Sequence, residues 1–461
     1  MGTRTVNICG RIAGGLLLVF GWATVCGADE LGDLKQQLED QKTRSAELED
    51  RINQLEARQK LKERSMGEEI AALKDSQVEK APTDLQAYWR DGLRFKTADD
   101  MFQLRIGGRM MFDWLWISED DDIKTTIGDQ EDGVGFRRVR FYMAGSIYEN
   151  VDYMLQLDFA GGNTALRDAY IGLTDFPVGK LRMGQFKEPF SLEELASSNH
   201  MTFVERALPN AFAPGRGVGF MLHDAALESR MTWAAGLFRD TDDTGLAIDD
   251  SGYNLTGRIT GLPWYKNKGE SLVHLGAAYS HRNPDETLRY RARPETPLTD
   301  RFVDTRNPLT GLDIATDRAN LLGLEAAWLT GPLSLQGEYI RANVDRSGAS
   351  DVDFSAYYAQ ASYFLTGERR SYSTSSGTFG LVRPKKNFRF GSGPGAWELK
   401  ARYSSIDLNH RDIRGGELDN FSAGVNWYLN PNMRIMWDYI RADLDDVGQA
   451  DVLLMRLHAF F

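Results

Sequence analysis

The chain has 461 residues, 42% of them hydrophobic, and a formal net charge of −12 from 54 Lys and Arg against 66 Asp and Glu. An acidic chain is poorly suited to general nucleic-acid binding, and no stretch after the N-terminus reaches the roughly 18 apolar residues of a membrane-crossing helix. A β-barrel membrane protein stays open: lipid takes only every second strand residue, and the 45 Gly, 10 Trp and 17 Tyr suit turns and interface girdles.

Residues 1–28 read as a signal peptide. Arg4 and Arg11 form a charged start, Ile12 to Val25 an apolar core, and cleavage is expected near Gly27 or Ala28. A lipoprotein reading through Cys26 competes, but Val25 is bulky where a small residue is usual, and an uncleaved anchor would be short for a span. The two cysteines, Cys9 and Cys26, both lie here. The mature chain then has no disulfide and no thiolate chemistry in an oxidising compartment. If an exported chain without a second apolar helix enters a membrane, it does so as a barrel.

Residues 29–82 read as a periplasmic α-helical coiled coil. Leu31, Leu38, Ser45, Ile52, Gln59, Met66 and Leu73 fall at one heptad core position. Leu34, Gln41, Leu48, Leu55, Lys62 and Glu69 fall at the other. Polar core residues make the coil weak alone; a solvated single helix is the alternative. Residues 83–101 are assigned as a linker.

From residue 102 to 461 the period becomes 2. In Phe102 to Trp116, Leu104, Ile106, Met110, Phe112, Trp114 and Trp116 alternate with Gln103, Arg105, Arg109 and Asp113. Such a strand is long enough to cross a bilayer at a tilt, with one face for lipid and one for water. The pattern recurs at 139–147, 153–159, 273–279, 397–403, 421–429 and 453–461. About sixteen segments qualify, with 181–186, 218–223 and 254–260 the weakest. The expected fold is an all-β transmembrane barrel of about 16 antiparallel strands. Glu149-Asn150, Pro177-Val178-Gly179 and Asn430-Pro431-Asn432 suit periplasmic turns; 118–134, 187–216, 239–252, 281–318, 365–394 and 407–416 suit extracellular loops. Phe461, ending an alternating strand, is expected to be a signal for the barrel assembly machinery.

Several segments carry a family resemblance. They are Arg167-Asp168-Ala169-Tyr170-Ile171-Gly172-Leu173, Gly184-Gln185-Phe186-Lys187-Glu188-Pro189-Phe190-Ser191-Leu192-Glu193, Phe203-Val204-Glu205-Arg206 with Pro214-Gly215-Arg216-Gly217-Val218-Gly219, Tyr363-Phe364-Leu365-Thr366-Gly367-Glu368, and Gly395-Ala396-Trp397-Glu398-Leu399 running into Ala401-Arg402-Tyr403-Ser404. In order and spacing they resemble the phosphate-selective porin O and P family of outer-membrane porins. The resemblance implies a homotrimer of 16-stranded barrels, a water-filled channel for small hydrophilic solutes such as anions, and a third loop folded into the pore. Lys187 to Arg216 sits where that loop belongs. Family members differ in specificity, so phosphate itself is not implied.

Anion selectivity needs cations facing water in a narrow passage, and Arg suits oxyanions through its planar fork. The candidate constriction set is Lys187, Arg206 and Arg216. The candidate lumen set is Arg105, Arg109, Arg138, Arg140 and Arg402, with Arg182, Arg258, Lys400, Arg434 and Arg456 on the same faces. The competing reading is structural pairing with inward Asp113, Asp152, Asp158, Asp168, Glu325, Glu338, Glu398 and Asp438. An enzyme is the contrasting class, but the six histidines show no metal-ligand spacing. No catalytic residue, metal or cofactor is expected. A second functional reading is a general or structural porin that tethers the membrane to the cell wall through its coil. Expected partners are small anions, outer-membrane lipid and lipopolysaccharide.

Overall fold

A computed structural model describes residues 28–75 and 84–461; the expected signal peptide up to residue 27 lies outside the described residues. The chain divides into two units, Met1–Ala81 and Pro82–Phe461. The first holds one uninterrupted helix, α1 (Ala28–Asp75). Leu34, Leu38, Leu48, Ile52, Leu55 and Met66 are each more than half exposed on it. Its apolar seam therefore has no cover among the described residues of its own unit.

The second unit is a closed antiparallel barrel of sixteen strands. They are β1 (Phe102–Glu119), β2 (Gly133–Ile147), β3 (Val151–Asp158), β4 (Ala165–Phe176), β5 (Gly179–Lys187), β6 (Arg216–Ala226), β7 (Met231–Asp240) and β8 (Asn254–Lys266), then β9 (Ser271–Arg282), β10 (Ile314–Thr330), β11 (Leu333–Arg346), β12 (Val352–Phe364), β13 (Ala396–His410), β14 (Ile413–Asn430), β15 (Met433–Leu444) and β16 (Gly448–Phe460). β16 pairs with β1, bringing Leu457 beside Phe112 and Arg456 beside Asp113. Closure leaves the barrel no free edge. Phe461 completes the seam: its N–H donates to the Gly108 carbonyl and its carbonyl accepts the Gly108 N–H in return, both at 3.0 Å. A Cβ on Gly108 would stand 2.9 Å from the Phe461 ring, so only glycine leaves room there.

The alternation resolves as the sequence suggests. Leu275, Leu322, Leu324, Leu399 and Leu453 face outward and are 43–51% exposed. Outward Trp264, Trp328, Tyr363 and Trp397 mark one rim of this apolar belt, and Trp116, Tyr279 and Tyr439 the other. Two aromatic girdles around an apolar band define a lipid-facing wall. The three weakest strand assignments hold as β5, β6 and β8.

Both barrel termini lie at one end, together with the short turns after β2, β4, β6, β8, β10 and β14. Segment 365–394, expected as an extracellular loop, falls in the connection 365–395, which also lies at this terminal end, because it follows β12, which runs the same way as β2 and β4. Segment 407–416 is not a loop either: β13 and β14 continue through it to a tight turn at Arg411 and Asp412. Residues 83–101, expected as a linker, carry a hairpin of Leu85–Trp89 on Leu93–Thr97, whose second strand extends the sheet beside β1. The opposite end carries the longer connections, including 188–215 and 283–313, which turn into the lumen. Phe190, Leu208, Phe212, Tyr290 and Phe302 from these segments bury against Ile340, Phe354 and Ile406 of the wall.

Candidate functional site

The site begins where β4 and β5 run side by side. Tyr170 lies opposite Gly184, and a Cβ on Gly184 would stand 2.2 Å from the Ala169 carbonyl oxygen, at φ +126°. The two signature segments therefore meet at a glycine contact. Lys187 ends β5 pointing inward, and the chain leaves the wall. Glu188 anchors this exit by accepting from Arg282 (2.7 Å) and Thr256 (2.5 Å). Phe190 is fully buried. Ser191 caps the short helix α2 (Leu192–Leu195), its hydroxyl accepting from the Glu194 N–H at 3.1 Å.

The loop is then clamped to the β11–β16 wall. Lys400 donates to the Thr202 carbonyl (2.9 Å), Arg434 to Met201 (2.7 Å), Arg402 to Glu205 (3.1 Å), and Arg456 to Val204. Asp438 accepts the Val204 N–H (2.8 Å), while Glu338 accepts those of Leu192 and Glu193 (2.9 and 2.8 Å). Charge-assisted bonds to an irregular backbone satisfy groups that water cannot reach. The loop thus occupies one side of the lumen and leaves the passage against the other wall.

That passage is a cavity of about 380 Å³ between the loop and strands β1–β8. Arg109, Arg138, Arg140, Arg182, Lys187, Arg206, Arg216 and Arg258 line it, against two carboxylates, Asp168 and Asp224. Asp168 and carboxylates behind the lining neutralise part of the excess. Arg140 pairs with Asp158 (2.7 Å), Arg216 with Asp168 (2.9 Å), Arg182 with Asp152 (3.9 Å), Arg206 and Lys187 with Glu194 (3.2 and 3.4 Å) and Arg138 with Glu205 (3.5 Å). Arg109 differs. Its contacts among the described residues are the hydroxyls of Ser198 (2.7 Å) and Ser197 (3.4 Å), and its Nε has no partner. The Nε of Arg182, whose guanidinium lies 4.2 Å from the Tyr170 ring centroid, is likewise unpartnered. Glu194 stays ionised: burial pushes its carboxyl up, but Arg206, Lys187 and Arg216 outweigh this and hold the pKa at about 2.

The terminal-end loop 365–395 reaches the same cavity. Ser375, Ser376 and Thr378 line it. Arg258 donates to the Gly377 carbonyl (2.9 Å), Tyr372 bonds His274 (2.6 Å), and Arg370 donates to Gln336 (3.0 Å). Phe379 buries with Leu192 and Leu272. The passage is therefore bounded by one loop from each end of the barrel.

Lys187, Arg206 and Arg216 are brought together with Arg109, Arg138 and Arg140 around this one cavity. Arg105 and Arg402 are not. Arg105 donates to the Asp91 carbonyl of the N-terminal hairpin (2.7 Å) at the rim. Arg402 is buried between Glu193 (3.4 Å) and Glu295, with its guanidinium 4.2 Å from the Phe203 ring. Arg137 escaped the sequence reading. Alternation points it at lipid, but a bulge in the β1–β2 pairing between Met111 and Phe112 lets it turn to Glu205, which it holds at 2.9 and 3.1 Å.

A girdled sixteen-stranded barrel with an inward-folded loop narrowing a polar passage defines an outer-membrane porin, a water-filled channel. The family model for phosphate-selective porin O and P matches residues 106–460, and the chain belongs to that family. Porin O of Pseudomonas aeruginosa is 27% identical over 400 residues, covering 79% of this chain and 88% of that protein. Among solved structures, the trimer form of OmpT from Vibrio cholerae is similar in fold (TM-score 0.51, 10% identity, 78% of this chain and all of that one). So is the outer membrane channel DcaP of Acinetobacter baumannii (TM-score 0.50, 12% identity, 81% of this chain and all of that one).

Proposed function

We propose that this porin is an anion-preferring diffusion channel whose selectivity is set at the cavity around Arg109. The observation that carries the reading is Arg109: seven of the eight lining cations have a carboxylate partner, and Arg109 has none among the described residues. In a narrow passage with little water, Coulomb terms are screened less than at the surface, so local charge outweighs the chain total of −12. Lys187, Arg206, Arg216, Arg138 and Arg140 form the surrounding cationic ring, and a phosphate-like oxyanion suits the forked donors. The chain acts as a channel and not an enzyme. The terminal end faces the periplasm, residues 29–82 form a periplasmic coiled coil, and the working form is a homotrimer. Lipopolysaccharide meets the opposite end, and Phe461 is the mark read by the barrel assembly machinery. The uncovered seam of α1 also keeps a tether to the cell wall in view as a second role. Reversal potential across a planar bilayer under a salt gradient, with and without phosphate, tests the main reading. A cation-preferring or neutral potential at low salt would overturn it.

A further inference from the structure

The loop 365–395 does two separate things. Its first half enters the lumen as described. Its second half crosses the rim and folds back over the outer wall. The Phe388 N–H donates to the Leu429 carbonyl at 2.6 Å. The Phe388 ring stands edge-on to Trp427 at 4.8 Å, and Trp427 stacks on Trp397 at 5.0 Å with an interplanar angle of 16°. Both indole N–H groups donate to the Pro394 carbonyl, at 2.9 and 3.2 Å. Trp397 and Trp427 lie on the outward register of β13 and β14, directly opposite one another. The segment is thus pinned to the lipid-facing girdle at the terminal rim.

What it presents there has no use in the channel. Phe390 is 97% exposed, and Lys385, Lys386 and Arg389 are all exposed. None of the three cations has an acidic partner among the described residues; the neighbouring Asp91 is taken by Arg383 at 2.6 Å. A large aromatic beside unpaired cations, at the edge of an apolar belt, matches the chemistry of a bilayer interface. The ring enters the acyl boundary while the cations meet phosphate groups.

We infer that residues 385–394 form a hook that binds anionic phospholipid headgroups of the periplasmic leaflet. This rests on the outer-membrane orientation given above. Phosphate oxygens would sit between Lys385, Lys386 and Arg389, with Phe390 inserted beside the chains. Charge complementarity selects the occupant: an uncharged or zwitterionic lipid fits the aromatic part equally well but leaves the three cations unmatched. The attraction of a basic residue to an anionic membrane surface corresponds to roughly a fivefold preference per cation, less after screening.

The test uses the full-length porin extracted in mild detergent with equal amounts of phosphatidylglycerol and phosphatidylethanolamine. Native mass spectrometry then counts bound lipids per barrel. Wild type should retain phosphatidylglycerol in preference, and the combined K385Q, K386Q and R389Q variant should lose that preference by about tenfold. Phe390→Ser should lower retention of both lipids together. Lys268→Gln, at the same rim but away from the hook, should change nothing. Heat-modifiable migration and an unchanged reversal potential establish that the variant is folded and conducting, which separates failure of the hook from failure of the channel reading. Wild-type phosphatidylglycerol retention in the triple variant, or equal loss in Lys268→Gln, overturns the proposal. So does dissociation of the oligomer with lipid counts per barrel unchanged, since the hook would then be a contact between copies.

Discussion

Two arginines of similar sequence setting have different work. Arg109 lines the cavity with serine hydroxyls for company, whereas Arg402 is buried between Glu193 and Glu295 and holds a loop carbonyl. Arg109→Gln should therefore reduce anion preference several-fold in reversal-potential measurements while the denaturation midpoint stays near wild type. Arg402→Gln leaves buried carboxylates without a cation, a loss of about 3–5 kcal/mol, and should lower thermal stability sharply. Equal stability losses in the two would contradict this division. Much of the pairing was legible: inward Asp113, Asp152, Asp158 and Glu325 do meet Arg456, Arg182, Arg140 and Arg258. What the sequence could not reveal was which cation lacked a partner, because partners come from loops whose path strand alternation does not encode. Arg137 was hidden for a related reason, since one bulge reverses the side its parity assigns. pH adds a further check. Glu194, held at about 2 by Arg206, Lys187 and Arg216 against the cost of burial, is a depressed carboxylate. Its stabilising contribution is fully present above the ordinary value near 4.5 and fades only as pH falls through about 2. Conductance and selectivity should be flat from pH 7 to pH 4 as far as this group is concerned. A Glu194→Gln variant should shift selectivity toward anions and loosen the hold on Lys187 and Arg206, which a Glu194 already neutral at pH 5 would not do.

At the scale of elements, the passage is bounded by two loops that arrive from opposite ends. The 188–215 loop was readable from its position between two strands and from the signature that opens it. The 365–395 loop was placed at the wrong end. Its composition is polar and glycine-rich, as in an external loop, and few sequence features separate it from one. Only the parity of strands before it decides the end, and parity fails to speak when neighbouring strands are faint. Its anchors, Arg370, Tyr372 and Phe379, are spaced without period. Segment 407–416 failed differently: β13 and β14 run past the girdle into a polar zone, so apolar alternation fades before the strands do. The inward half of 365–395 limits the passage through Ser375, Ser376 and Thr378. Replacing residues 371–380 by a short glycine linker should raise single-channel conductance measurably while leaving anion preference near wild type, because Arg109 and the β1–β6 cations remain. An unchanged conductance would mean that the 188–215 loop alone sets the narrowest section.

At the scale of the molecule, a stable closed barrel and a helix with an uncovered seam belong to one chain. The barrel needs no further element for closure: β16 on β1 removes its edges, and Phe461 locks the seam with two backbone bonds. The helix is in the reverse position. At 48 residues α1 spans about 70 Å, yet Ser45, Gln59, Lys62 and Glu69 interrupt its heptad core, so a coil of such helices associates weakly alone. Barrels held together in a trimer would raise the local concentration of helices to the millimolar range typical of short tethers. The coil would then form, and by the same linkage would stabilise the trimer that brought it together. Deleting residues 29–80 should therefore leave barrels that still fold and conduct as wild type, but whose trimers dissociate at a lower temperature on unboiled gels. Replacing Lys62 and Glu69 by Leu in the intact chain should raise that temperature, since both occupy core positions. If neither change moves the dissociation temperature, α1 contributes nothing to assembly. Loss of outer-membrane attachment in cells carrying the deletion would then assign it to the tether.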